Sequence, residues 1–192
     1  MSTSSQSLPR QSAIDPAQLG IWIFLATISM LFAAFTSAYL VRRVAADWVQ
    51  INLPSTLWLN SVILIGSTVT LERARSALSP PRSGKDAILW LDVTLALGFA
   101  FLIGQLFAWS QLAGQGVYIP TSPQSSFFYI YTGLHGLHLL GGIILLVVVT
   151  LRCRGLLKQD PSAALRLTGL AATYWHFLAG LWIFIFLVFK VL

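Results

Sequence analysis

Apolar and polar positions are segregated into blocks along this chain, with no sustained alternation. Five apolar runs cover about 20–41, 56–72, 87–112, 125–151 and 168–190, most of them reaching the ~20 residues needed to cross a hydrocarbon core. The first stops at Arg42 and Arg43, and the second is flanked by Trp58 and by Glu72, Arg73 and Arg75. Only Asp92 and Gln105 break the third; the fourth ends at Arg152 and Arg154, and the fifth at Lys190. Within such a run a helix satisfies every backbone polar group internally. The pattern therefore predicts an all-α, polytopic membrane protein, a bundle of five transmembrane helices joined by short connections. Residues 1–18, rich in Ser, Thr, Gln and Pro with the single Arg10, lack the basic-then-apolar order of a cleaved signal peptide. They read as a flexible polar tail ahead of a transmembrane domain over 19–192, in which no internal repeat or heptad seam is visible.

Charge adds an orientation. With five spans, one side of the membrane collects Arg10, Arg73, Arg75, Arg82, Lys85, Arg152, Arg154, Lys158 and Arg166, against Arg42, Arg43 and Lys190 on the other. The excess of Lys and Arg in cytoplasmic loops predicts a cytoplasmic amino terminus and an outer carboxyl terminus. Residues 113–124, uncharged and containing Gly and Pro, suit an outer turn, and Trp48, Trp58, Trp109 and Tyr118 read as interfacial anchors. A composition of 56% hydrophobic and 9% charged residues, with a mean hydropathy of +0.77, is far from that of a soluble domain. The net charge of +6 sits in short loops and not on a solvated basic face, so nucleic acid is not an expected partner. Cys153, the single cysteine, rules out an intrachain disulfide and any CxxC-type metal or redox motif.

The stretch FFYIYTGLHGLHLLGG, from Phe127 to Gly142, carries the densest chemistry. His135 and His138 are three residues apart, which places them on one helical face. Gly133 and Gly136 beside them suggest close approach of a neighbouring backbone. An ionisable side chain at that depth faces a bundle interior, a partner or a wet cavity in preference to lipid. His176, in TYWHFLAGLWIFIF, is the third histidine. Imidazole ligates iron, copper and zinc, but His138 lies about 20 Å from either end of its run and His176 about 12 Å from the inner end of its own, at 1.5 Å per residue. That separation disfavours shared ligation, and no catalytic, cofactor or metal site is expected. The alternative is that Tyr131, Thr132, His135 and His138 hydrogen-bond one another or neighbouring helices. Asp92, near the inner, positive end of its helix dipole and within reach of Lys85 or arginines, reads as an ion-pair residue more than a proton relay. Gln105 reads as an interhelical contact. No GxSxG, HExxH or phosphate-cradling loop is present.

These segments resemble a known family. FFYIYTGLHGLHLLGG looks like the TGxHGxH helix of subunit III of the haem-copper terminal oxidases, and ATYWHFLAGLWIFIFLVF resembles that family's carboxyl-terminal YWHF helix. GIWIFLATISMLFAAFTSAYLVRR, LPSTLWLNSVILIGSTVTLERA and GFAFLIGQLFAW resemble the preceding three helices in the family's order, so the similarity runs from Gly20 to Leu192. Thr132, His135, His138, Tyr174, Trp175 and His176 match family-motif positions. The resemblance implies the five-helix bacterial form of a noncatalytic subunit with no cofactor of its own. Its partners would be subunit I, which holds haem and copper, other oxidase subunits and phospholipids, in the bacterial cytoplasmic membrane. It also implies support of proton translocation in aerobic respiration. Trp175 and Arg166 are the candidate lipid contacts.

Three departures stand out, because Ile28, Ala108 and Ala179 occupy positions where the family usually carries an acidic residue. Any function of those carboxylates, proton handling included, is not carried over. Rival readings are an accessory subunit of a quinol oxidase or nitric oxide reductase, an autonomous b-type cytochrome using two of the histidines, and a small transporter. The last lacks paired inverted repeats and broken helices.

Overall fold

A computed structural model describes residues 15–79 and 86–191. They form five helices, α1 (Pro16–Arg42), α2 (Thr56–Leu78), α3 (Ala87–Gly114), α4 (Pro123–Gln159) and α5 (Pro161–Val191), with a 3-10 turn at Ile119–Thr121. No strand occurs among the described residues. Helices α1, α3, α4 and α5 are long and apolar enough to cross a membrane. Helix α2 has 23 residues, about 35 Å at 1.5 Å per residue, but Glu72, Arg73 and Arg75 crowd into its last two turns and lower its hydropathy.

Helix ends follow capping chemistry more closely than hydropathy. Helix α1 begins at Pro16, ahead of the apolar run, because the Asp15 carboxylate accepts the Ala17 N–H at 3.0 Å and Pro16 has the backbone angle of a first helical position. Residues 16–18 of the expected tail are thus helical, and 1–14 lie outside the described residues. The largest difference from the sequence pattern is at the far end of α4. That helix continues through Arg152 and Arg154 to Gln159, and α5 starts at Pro161, so most of the polar stretch 152–167 is helix. Arginine is a good helix former. What ends α4 is the Asp160–Pro161 step, where the Asp160 carboxylate accepts from the Ser162 hydroxyl and the Ala163 N–H and so caps α5.

Helices α2 and α3 pack along each other, as do α4 and α5; α5 also lies on α2 and α4 on α3. Helix α1 reaches only α4 and α5. It is fastened by the Tyr131 hydroxyl, which donates to Thr36 Oγ1 at 3.0 Å, and by Phe32, whose ring meets Tyr131 edge-on. Tyr39 closes the carboxyl-terminal end of α1 among the rings of Trp48, Phe127 and Phe189. Only Leu25, Ile28, Phe32 and Tyr39 of α1 are buried, so most of its apolar surface faces away from the bundle.

Cys153 is fully buried where α4 meets α5, with its Sγ 3.6 Å from Thr168 Oγ1. A thiol enclosed in this way reacts only when the helices part. A membrane-permeant maleimide is expected to leave Cys153 unmodified in mild detergent and to label it fully in SDS. Equal labelling rates in the two would mean that the α4–α5 contact is open.

Candidate functional site

The two histidines of the central stretch of α4 have different neighbours. Three residues leave the two directions only about 60° apart, yet His138 meets Phe32 of α1 and His135 meets Phe101 and Trp182, so the pair straddles two seams. His135 is wholly buried against α3 and α5, its ring centroid 6.0 Å from Phe101 and 5.4 Å from Trp182. Neither of its ring nitrogens has a hydrogen-bond partner in the protein. His138 is half-buried beside Phe32 of α1, and its Nδ1 donates to the Leu134 carbonyl at 2.7 Å. His176 faces α2. Its Nδ1 donates to the Ala172 carbonyl at 2.6 Å, and its Nε2 stands 3.5 Å from Glu72 Oε1, which is also 3.5 Å from the Arg75 guanidinium. The three imidazoles therefore line three different seams. Among the described residues no group of three or more His, Cys, Asp or Glu side chains gathers at metal-binding distance.

The other motif residues tie helices together. Thr132 Oγ1 accepts the Trp109 indole N–H at 3.1 Å and donates to the Phe128 carbonyl at 2.7 Å. The Tyr174 hydroxyl donates to the His138 carbonyl at 3.0 Å. Of the four α4 residues expected to satisfy each other or their neighbours, Tyr131 and Thr132 bond to other helices, His138 bonds within its own, and His135 bonds to nothing.

Trp175 lies at the centre of the bundle, only 1% exposed, and its Nε1 donates to Ser67 Oγ of α2 at 2.9 Å. Its ring is clamped between two glycines: a Cβ on Gly98 would come 2.9 Å from Trp175 Cη2, and one on Gly142 3.2 Å from Cε3. No face of the indole is left for an acyl chain, so the lipid contact expected of Trp175 is corrected to an interhelical one. A second indole repeats the device, since Trp182 Nε1 donates to Ser61 Oγ at 3.0 Å. Tryptophans seven apart on α5 thus meet serines six apart on α2, running in opposite directions. Sequence reasoning overlooked this match, although the spacing is visible once the two helices are known to touch.

The glycines also change roles. A Cβ on Gly136 meets nothing within 4 Å, and one on Gly133 meets only Trp109 at an ordinary 3.8 Å. Close approach is provided instead by Gly98, Gly142 and Gly104, where a Cβ would collide with Asn60 Oδ1. Asn60 Nδ2 in turn donates to the Phe101 carbonyl at 3.3 Å, binding α2 to α3.

Asp92 is half-exposed and pairs with Arg154 of α4 at 3.0 Å, the arginine partner expected for it; Lys85 lies outside the described residues. Arg166 is well exposed, 3.5 Å from Asp15 at the start of α1. Gln105, read as an interhelical contact, is buried with neither amide atom hydrogen-bonded in the protein. Ile28, Ala108 and Ala179 are all buried, so the acidic residues of the family pattern would sit inside this bundle.

This geometry defines a polytopic helical membrane protein whose buried polar side chains mainly join one helix to another. The sequence model of cytochrome c oxidase subunit III matches residues 11–191. Cytochrome c oxidase subunit 3 of Synechocystis sp. is 31% identical over 91% of this chain and 75% of its own length. That of Thermostichus vulcanus is 31% identical over 91% and 86%, and that of Alkalihalophilus pseudofirmus 30% identical over 88% and 84%. The chain belongs to the cytochrome c oxidase subunit III family. It is a haem-copper oxidase subunit, one component of a multisubunit complex, and a multi-pass protein of the bacterial cytoplasmic membrane.

Proposed function

We propose that this chain is the noncatalytic subunit III of a proton-translocating haem-copper oxidase of the cytochrome c oxidase type. It covers a flank of catalytic subunit I, stabilises it and holds phospholipid beside it. The observation that carries this reading, beyond family membership, is the apolar surface that the bundle leaves uncovered. Along α4, Ile130, Leu137, Ile144 and Leu151 recur every seven residues and are 41–65% exposed, with Gly133 and Gly136 between them. A stripe of that spacing, smoothed by glycine, suits a neighbouring membrane helix. A groove of about 360 Å³ between α1 and α5, lined by Phe32, Ala33, Phe177, Gly180 and Phe184, has the shape and chemistry for an acyl chain. Exposed Arg166 is available to a phosphate headgroup.

All five helices span the membrane, α2 included, with the amino terminus cytoplasmic and the carboxyl terminus outside. Two ion pairs between helices, Arg154–Asp92 and Arg166–Asp15, together with Glu72 beside Arg75 and His176, support this orientation by gathering charged side chains toward one end of the bundle. The opposite end carries Arg42–Asp47 and Lys190.

The test is to tag the carboxyl terminus, extract native membranes in mild detergent and identify what copurifies in stoichiometric amount. A haem-copper subunit I is expected, and recovery of the chain alone would overturn the reading. Gly136→Leu sharpens it: Gly136 has room for a side chain within its own bundle, so the variant should fold while recovery of subunit I falls at least several-fold. Undiminished recovery would remove α4 from the interface.

A further inference from the structure

His135 and Gln105 are both enclosed, at 0% and 4% exposure, and their four polar atoms, Nδ1, Nε2, Oε1 and Nε2, are the buried side-chain nitrogens and oxygens left without a partner among the described residues. Both stand on the helices that meet at the α3–α4 contact. Helix α3 touches α4 through Phe101, whose ring packs on His135, and through Trp109, whose indole bonds Thr132. Gln105 is one turn from each of these, on the same buried face of α3 as Phe101 and Ala108. Trp182 of α5 closes the seam, packing on both Phe101 and His135.

Leaving such groups unpaired in an apolar interior carries the full penalty of removing them from water. A direct bond between them would not remove that cost. A neutral imidazole has one donor and one acceptor, and the amide has a donor group and an acceptor; a single contact satisfies one atom of each side chain and leaves the other two. A metal ion is a poor occupant, since the pair brings two neutral donors and no carboxylate or thiolate. A partner's side chain is excluded by the burial. Water has the right chemistry: it donates two bonds and accepts two, and buried waters typically take 2–4 polar partners.

We propose that α3, α4 and α5 enclose an internal hydration site, in which one or two water molecules bridge the imidazole of His135 and the amide of Gln105. The site fixes the rotation of α3 against α4 by hydrogen bonds that neither helix makes alone.

The experiment is a structure, at a resolution that shows ordered solvent, of the protein purified from native membranes with whatever subunits accompany it, as wild type and as Gln105→Leu. A solvent peak within about 2.7–3.2 Å of a His135 nitrogen and of a Gln105 amide atom is expected, together with its loss in Gln105→Leu. A direct His135–Gln105 bond with no solvent peak, an empty seam, or a peak unchanged in Gln105→Leu would each overturn the proposal. Should the variant fail to fold, solid-state magnetic resonance of the wild type in lipid supplies the second reading. Polarisation is expected to pass from water protons to the ¹⁵N-labelled His135 ring, and its absence contradicts the site. Neither readout depends on which subunits copurify, so failure here is separable from failure of the assigned role.

Discussion

Trp175→Ala is expected to lower the unfolding free energy of the bundle by about 3–5 kcal/mol, the usual range for deleting a large buried aromatic side chain. Three helices lose contacts at once: the indole fills the space between Gly98 of α3 and Gly142 of α4 and is anchored on Ser67 of α2. Neither glycine has a side chain with which to fill the resulting cavity. In lipid the transfer contribution is smaller than in water, because the unfolded helices also rest among apolar chains, but the lost packing is not recovered. Trp175→Phe should cost much less, about 1–2 kcal/mol, since it keeps part of the volume and gives up chiefly the bond to Ser67. Denaturation in mixed micelles, followed by ellipticity, measures both. Equal effects of the two substitutions would mean that the hydrogen bond, and not the ring, holds the centre.

The second large effect belongs to Gly104→Ala, a change of one methyl group expected to cost about 1–3 kcal/mol. The new Cβ would occupy the place of Asn60 Oδ1, and Asn60, 1% exposed, has little room to move without releasing the Phe101 carbonyl. The diagnostic is the double variant. In an Asn60→Ala background the obstruction is gone, and Gly104→Ala should then be nearly neutral. Coupling of that kind between touching residues is what a double-mutant cycle measures. Strict additivity would show that the glycine is needed for some reason other than Asn60.

Much of the protein was legible before any coordinates. The apolar runs located five helices to within a few residues at most ends, because the need to satisfy backbone polar groups in lipid leaves few alternatives to a helix. The motif segments pointed to the family to which the chain belongs. Boundary errors occurred where hydropathy was used as a proxy for helicity: Arg152, Arg154 and the following residues are polar but helical, and the break is set by Asp160 and Pro161. The site was read less well. The arginine beside Asp92 was within the reach expected from its depth, whereas the spacing of His135 and His138 gave no sign that they meet different helices. The lipid contact for Trp175 gave way to interhelical contacts, Gly133 and Gly136 make no close approach within the bundle itself, and the close approaches at Gly98, Gly104 and Gly142 went unseen.

The division has one physical cause. In a soluble helix the polar face marks the outside, so the sequence also records which way each side chain points. These helices are apolar on nearly every side, because lipid and protein interior make similar demands on a side chain. The sequence therefore determined which segments are helices, their order and their membrane character. Tertiary structure alone decided their rotations, and with them that Trp175 faces inward to Ser67, that Gly136 faces open space, and that His135 and Gln105 are both enclosed.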